Sequence, residues 1–188
     1  MLGLKRGTVA LLPHQAAWEE NAKETIALLW TVLNGTAVDI QHIGSTSIRH
    51  IHAKPIIDLA VGVGSLDDII PLIPKLEEIG VKYRNADHPG QMLFVMGDFE
   101  NEIRTHHVHV VQIDDPAWDN YINFRDYLND CPQKAKLYDD LKQTLFQQYA
   151  DNRGFYTAGK QELINQLLEE ARQYKQADNR IGGPYVPF

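Results

Sequence analysis

The chain has 188 residues, 44% of them hydrophobic, a formal net charge of −7 and a single cysteine. That length suits one domain with a substantial core, and the acidic balance argues against general nucleic-acid binding, which needs a basic surface. Cys131 alone excludes an internal disulfide; with no secretory leader and no apolar run near the ~18 residues that span a bilayer, the expectation is a cytoplasmic protein without a membrane anchor.

In chain order, the first predicted element is a helix from about Gln15 to Leu33. Trp18, Ala22, Thr25, Ile26, Leu29, Val32 and Leu33 share its apolar face, and Asn34-Gly35 stops it. The stretch Asp39–Val63 follows, read as a strand, a Gly-Ser turn, a short helical crossover and a second apolar strand. Gly44 allows the tight turn. Ser45, Thr46 and Ser47 bring hydroxyls and exposed N–H groups to a helix start, a place that favours anions. On the second strand Ile57, Leu59, Val61 and Val63 face one way and Asp58, Ala60 and Gly62 the other. An apolar back and an acidic front suit a metal or phosphate cleft.

Ser65 is expected to cap a helix over 66–79, although Pro71 and Pro74 sit badly within it. Val81–Arg84, Met92–Met96 and Arg104–Ile113 read as strands, the last two joined through a turn at GDFENE. From Pro116 onward the chain is helical, with apolar stripes through Trp118–Leu128, Tyr138–Tyr149 and Leu163–Ala171, and the tail GGPYVPF is too rich in Gly and Pro for regular structure. The order predicts an α/β or α+β domain with a mixed sheet and flanking helices. Its core covers about 1–114, a helical C-terminal portion at about 115–178 closes one side of a cleft, and an irregular tail covers 179–188.

In RTHHVHVV, alternation puts His107 and His109 on one face and Arg104, His106, Val108 and Val110 on the other. Two imidazoles and the Asp58 carboxylate suit a transition ion, whereas Mg²⁺ prefers oxygen; the alternative is that each His only packs and hydrogen-bonds locally. Lys54 either pairs with Asp58, reaches a phosphate or is solvated. Arg104 either grips a phosphate or carboxylate with its planar fork or makes a structural salt bridge. Arg125 falls on an apolar stripe, so it is either paired or lines the cleft. Thr157 can cap the last helix; otherwise Tyr156 and Lys160 face a base and phosphates. No glycine-rich P-loop and no nucleophile–base–orienter set is present.

The motifs HIGSTSI, KPIIDLAVGV, RTHHVHVV, FRDYL and YTAGK, in this order and at this spacing, resemble the GrpB family over nearly the whole chain. The resemblance implies the nucleotidyltransferase fold shared with polymerase-β-like enzymes, with the Gly44–Ser45 turn holding phosphate and carboxylates holding divalent cations (Mg, Mn or Zn). In that superfamily two carboxylates stand at i and i+2 on one strand, roughly 7 Å apart, and a third stands on a neighbouring strand. Asp58 matches the first position. Ala60 stands at the second and binds nothing. The expectation is therefore a metal-dependent nucleotidyltransferase acting on a nucleoside triphosphate or related phosphorylated molecule. The alternatives are a noncatalytic nucleotide- or metal-binding protein that has lost transfer activity and, behind both, metal-dependent hydrolysis at the His/Asp site.

Overall fold

In the computed structural model, which describes residues 2–84 and 90–181, a two-residue strand, β1 (Leu4–Lys5), precedes α1 (Ala16–Leu33). The strands β2 (Ala37–Ile43) and β3 (Ile57–Val63) follow. They pair antiparallel, so their connection is no crossover: its only regular piece is a single 3₁₀ turn at Ser45–Ser47. The expected helix over 66–79 is broken at its prolines. Two 3₁₀ turns, 66–68 and 70–72, lead into a short α2 (Ile73–Glu78), with Ser65 capping the first through Asp67 N–H. Proline lacks the amide that a continuous helix would need at each of those turns.

The strands β4 (Lys82–Arg84), β5 (Gln91–Met96), β6 (Ile103–Arg104) and β7 (His106–Gln112) complete the sheets. Among the described residues five strands form one mixed sheet in the order β2-β3-β7-β5-β4, with β3 and β7 parallel and the other pairs antiparallel. The single strand expected over 104–113 divides at Thr105, because β6 leaves the main sheet to pair with β1. This pairing carries Arg104 away from its histidine neighbours.

Alternation then sorts the side chains as expected. Ile57, Leu59, Val61 and Val63 join Val108 and Val110 against Trp18, Leu29 and Leu33 of α1 and Leu76 of α2 in one core. On the opposite face α3 (Pro116–Asp130) lays Trp118 over Ile43, Ala60 and Val111. Central β3 is thereby covered on both sides, which explains its near-continuous apolar sequence. Three further helices, α4 (Pro132–Tyr149), α5 (Arg153–Ala158) and α6 (Gln161–Ile181), follow α3. A third cluster, with Ile48, Ile51, Leu128, Tyr138 and Leu167, fastens α3, α4 and α6 to the 48–56 segment.

Asp139 strengthens that attachment, its carboxylate accepting from His52 N–H at 2.7 Å and meeting His52 Nδ1 at 2.9 Å. Arg125 proves to be paired: it donates to Asp126 at 2.7 Å, to Gln41 Oε1 at 2.8 Å and to the His42 carbonyl at 3.0 Å, pinning α3 to β2. Thr157 does not cap the last helix, since it lies inside α5, which Asn152 caps by accepting from Phe155 N–H. Helix α6 continues through 179–181, where an irregular tail was expected, and residues 182–188 of GGPYVPF lie outside the described residues.

Candidate functional site

Parallel pairing of β3 with β7 sets Asp58 opposite His107 and Ala60 opposite His109. Because side chains alternate, Asp58, His107 and His109 emerge on the same face. His107 Nδ1 lies 3.1 Å and His109 Nε2 3.8 Å from Asp58 Oδ1, and one donor atom from each residue falls within 4.8 Å of the others. Metal–ligand bonds of ~2.0–2.2 Å put neighbouring ligands ~3.0–3.6 Å apart, so small side-chain rotations fit the three donors to one ion. Two nitrogens and one oxygen favour Mn²⁺ or Zn²⁺ over Mg²⁺. Among the described residues no other group of three His, Cys, Asp or Glu side chains gathers in this way.

Burial works against ionisation of Asp58. The hydrogen bond with His107 and the positive field of His107 and His109 outweigh it and hold the carboxyl well below the usual carboxylate range. An ionised carboxylate only accepts, so His107 Nδ1 carries the proton between them. An ion held by these three side chains would take the place of that hydrogen bond.

Gly44 backs the carboxylate. Its φ is +69°, and a Cβ there would meet Asp58 Oδ2 at 2.5 Å, so both conformation and space demand glycine. In the turn that follows, Thr46 Oγ1 bonds His42 Nε2 at 2.9 Å and Ser47 Oγ donates to the Gly44 carbonyl at 2.7 Å. Ser45, hydrogen-bonded with Tyr138, is the member that lines the adjoining cavity. A turn of three residues accumulates little helix dipole. The expected helix-start charge is therefore small, and attraction for anions comes from elsewhere.

It comes from four cations. A cavity of about 270 Å³ beside Asp58 and His107 is lined by Lys54, Lys142, Arg153 and Lys160. Lys54 Nζ lies 4.8 Å and Lys160 Nζ 4.6 Å from the centre of the Tyr156 ring, a cation–π arrangement that holds both ammoniums at the cavity wall. Lys142, fully buried, reaches the His52 carbonyl and lies 3.7 Å from Asp139. Among the described residues no carboxylate lies within ion-pair distance of Lys54, Arg153 or Lys160, and the nearby Asp58 is already engaged with two histidines. Burial, then repulsion from Lys160 and Arg153, lowers Lys54 to about 8. Burial likewise lowers Lys160 to about 8 and Lys142 to about 7.

The structure thus brings Gly44, Ser45, Lys54, Asp58, His107 and Lys160 to one cavity, while His109 stands beside Asp58 but lines a neighbouring cavity. Arg104 is not among them. Drawn onto β6, it holds its guanidinium 4.7 Å from the Phe99 ring centre, beside Arg84 and Arg6, and this corrects the expectation of a phosphate contact. Lys142 and Arg153 were missed. The signal for Lys142 was its position four residues after Tyr138 and three before Leu145, on the apolar stripe of α4 where a charge needs a reason. Arg153 carried no such signal.

Comparison with known proteins gives the chain its relatives. The family model described as "GrpB protein" matches residues 8–170. "Glutamate-rich protein GrpB" of Alkalihalophilus pseudofirmus is 37% identical over 173 residues, covering 90% of this chain and 99% of that protein. "UPF0157 protein YqkA" of Bacillus subtilis is 33% identical over 181 residues, covering 96% of this chain and 52% of that longer protein. The crystal structure of conserved protein GrpB from Enterococcus faecalis superposes with a TM-score of 0.80 at 32% identity, covering 88% of this chain and 99% of that one.

Proposed function

The chain belongs to the GrpB family, and from that premise we propose that its cleft binds a nucleoside triphosphate, or a related phosphorylated small molecule, with one divalent cation, as a metal-dependent nucleotidyltransferase. The observation that carries this reading is the abutment of two halves. Unneutralised Lys54, Arg153 and Lys160 share a cavity with Asp58 and His107, whose donor atoms converge with that of His109. Phosphate oxygens would neutralise the first half, and Asp58, His107 and His109 would hold the cation that satisfies the second.

The nucleotidyltransferase-type fold and a cytoplasmic location belong to the same proposal. A carboxylate at the start of a central strand, beside a parallel neighbour that contributes further ligands, supports the fold. Among the described residues no helix is long and apolar enough to cross a membrane. In this cleft Lys54, Lys160 and Arg153 orient the phosphates, and Gly44 keeps the backbone close against Asp58. A bound Mn²⁺ or Zn²⁺ supplies Lewis acidity at a phosphoryl oxygen.

A second reading, binding without transfer, is favoured by Ala60. The position where a second carboxylate would stand is fully buried against Ile43, Val111 and Trp118, so a two-ion arrangement has no place there. Calorimetric titration of nucleoside triphosphates with Mn²⁺, together with assay of pyrophosphate release, tests both readings. Binding that is lost in Asp58→Asn and in Lys54→Ala/Lys160→Ala supports the site, and pyrophosphate release decides for transfer. No affinity for any nucleotide with any divalent ion defeats the reading.

A further inference from the structure

A second cavity, of about 490 Å³, opens on the other side of Asp58. The two cavities share Gly44, Asp58 and Phe124 as common lining. Their chemistry differs sharply. Among the described residues the second has no lysine, arginine or glutamate in its lining, and Asp58 is the one carboxylate there. Instead it presents rings and amides. His109 and Tyr121 lie with ring centres 5.4 Å apart and planes 42° to each other, and Phe124 stands at the boundary. Gln91, Asn120 and Gln161 offer neutral donors and acceptors. Gln91 accepts from the Tyr121 hydroxyl at 2.9 Å, and Asn120 Oδ1 accepts from the Arg172 guanidinium at 3.1 and 3.0 Å, so two of these side chains are held in place.

We propose that this second cavity takes the uncharged, ring-bearing end of the same ligand, a nucleobase with its sugar, while the cationic cavity takes the phosphates and Asp58 marks the junction. The inference rests on the phosphate-and-cation reading above and gives that ligand a second half. Volume supports the division. Pockets that enclose drug-sized ligands span ~300–1,000 Å³; the cationic cavity, at about 270 Å³, falls below that range and the second, at about 490 Å³, within it. Charge supports it as well. A polyphosphate finds no described cation to pair with in the second cavity, whereas an aromatic base stacks there on Tyr121 or Phe124 with its edge toward neutral amides and leaves the cations of the first cavity to the phosphates.

Calorimetry of the full chain with Mn²⁺ tests this by comparing inorganic tripolyphosphate with nucleoside triphosphates. Tyr121→Leu removes a stacking face while keeping an apolar side chain. Leu168→Trp fills the cavity from α6 without altering charge; Leu168 is half-buried at that wall and outside the buried clusters. The expected result is that wild type binds at least one nucleoside triphosphate about tenfold or more tighter than tripolyphosphate. Both variants lose that advantage while tripolyphosphate affinity stays unchanged. Equal affinity of wild type for tripolyphosphate and every nucleoside triphosphate, or an advantage that survives in both variants, overturns the second-cavity assignment and leaves the phosphate reading standing. Failure of tripolyphosphate and of every nucleoside triphosphate to bind wild type overturns both.

Discussion

Gly44 and Asp58 approach so closely that a side chain on the first would occupy the space of the carboxylate of the second, an ideal Cβ falling 2.9 Å from Asp58 Cβ and 2.5 Å from Oδ2. The glycine is also held at φ +69° and ψ −172°, a region essentially confined to glycine where other residues are strained by ~1–3 kcal/mol. Gly44→Ala is therefore expected to lower stability by about 1–3 kcal/mol in urea denaturation. It should also turn Asp58 away from its histidines. Thermal stabilisation by Mn²⁺ or Zn²⁺ should fall in this variant beyond what the loss of stability explains.

The donor set predicts the order of ions. Because two of three ligands are imidazoles, Zn²⁺ and Mn²⁺ should raise the melting temperature of wild type more than Mg²⁺ does. The double substitution His107→Gln/His109→Gln should abolish that difference. An unchanged shift in the double variant places the ions elsewhere.

The lysines give the site a pH dependence with two opposite signs. Lys142 at about 7 and Lys54 and Lys160 at about 8 lose their charge as pH rises through those values, so tripolyphosphate affinity should fall between about pH 7 and 9. In the free protein the same lowering means that the unfolded chain binds more protons above pH ~7, so the lysine contribution to stability rises with pH up to the ordinary lysine range. Urea midpoints measured at both ends of this window should show the rise in wild type and a smaller rise in Lys142→Met. A fall in both proteins contradicts the assignment.

Sequence alone would suggest Ala60→Asp as a restoration of the paired carboxylates. The structure predicts otherwise. Residue 60 is fully buried under Trp118, and a carboxylate without partners there costs at least about 3 kcal/mol. Thermal unfolding should show a large loss and no new Mg²⁺ dependence. Retained stability with stronger Mg²⁺ binding would mean that the cleft reaches further under α3 than it does here.

Much of this arrangement was legible before any coordinates. The alternation in IIDLAVGV and HHVHVV specified which face each residue takes, and periodicity two is a strong constraint when one face is buried, so Asp58, His107 and His109 converge as expected. Arg104, which alternation already turned to the face opposite His107 and His109, is carried further from the cleft because Thr105 separates two strands that belong to different sheets, a break that nothing in the sequence marks. The cationic cavity was harder still. Lys142 meets Tyr138 and Lys160 meets Tyr156 as local i, i+4 neighbours, but Lys54, Lys142, Arg153 and Lys160 come from one loop segment and three helical neighbourhoods, and only tertiary packing gathers them around one cavity. The second cavity takes Ile43, Gly44, Asp58, His109 and Phe124 from the sequence motifs, but its other walls, Gln91 of β5 and further residues of α3 and α6, come together without any local motif.

Anomalous diffraction at the manganese edge, from crystals of the protein grown with Mn²⁺ and tripolyphosphate, tests the central claim most directly. The expected map has one peak within bonding distance of Asp58, His107 and His109, with phosphate density running from it toward Lys54, Lys160 and Arg153. A peak at another place, or phosphate bound away from those side chains, would contradict it.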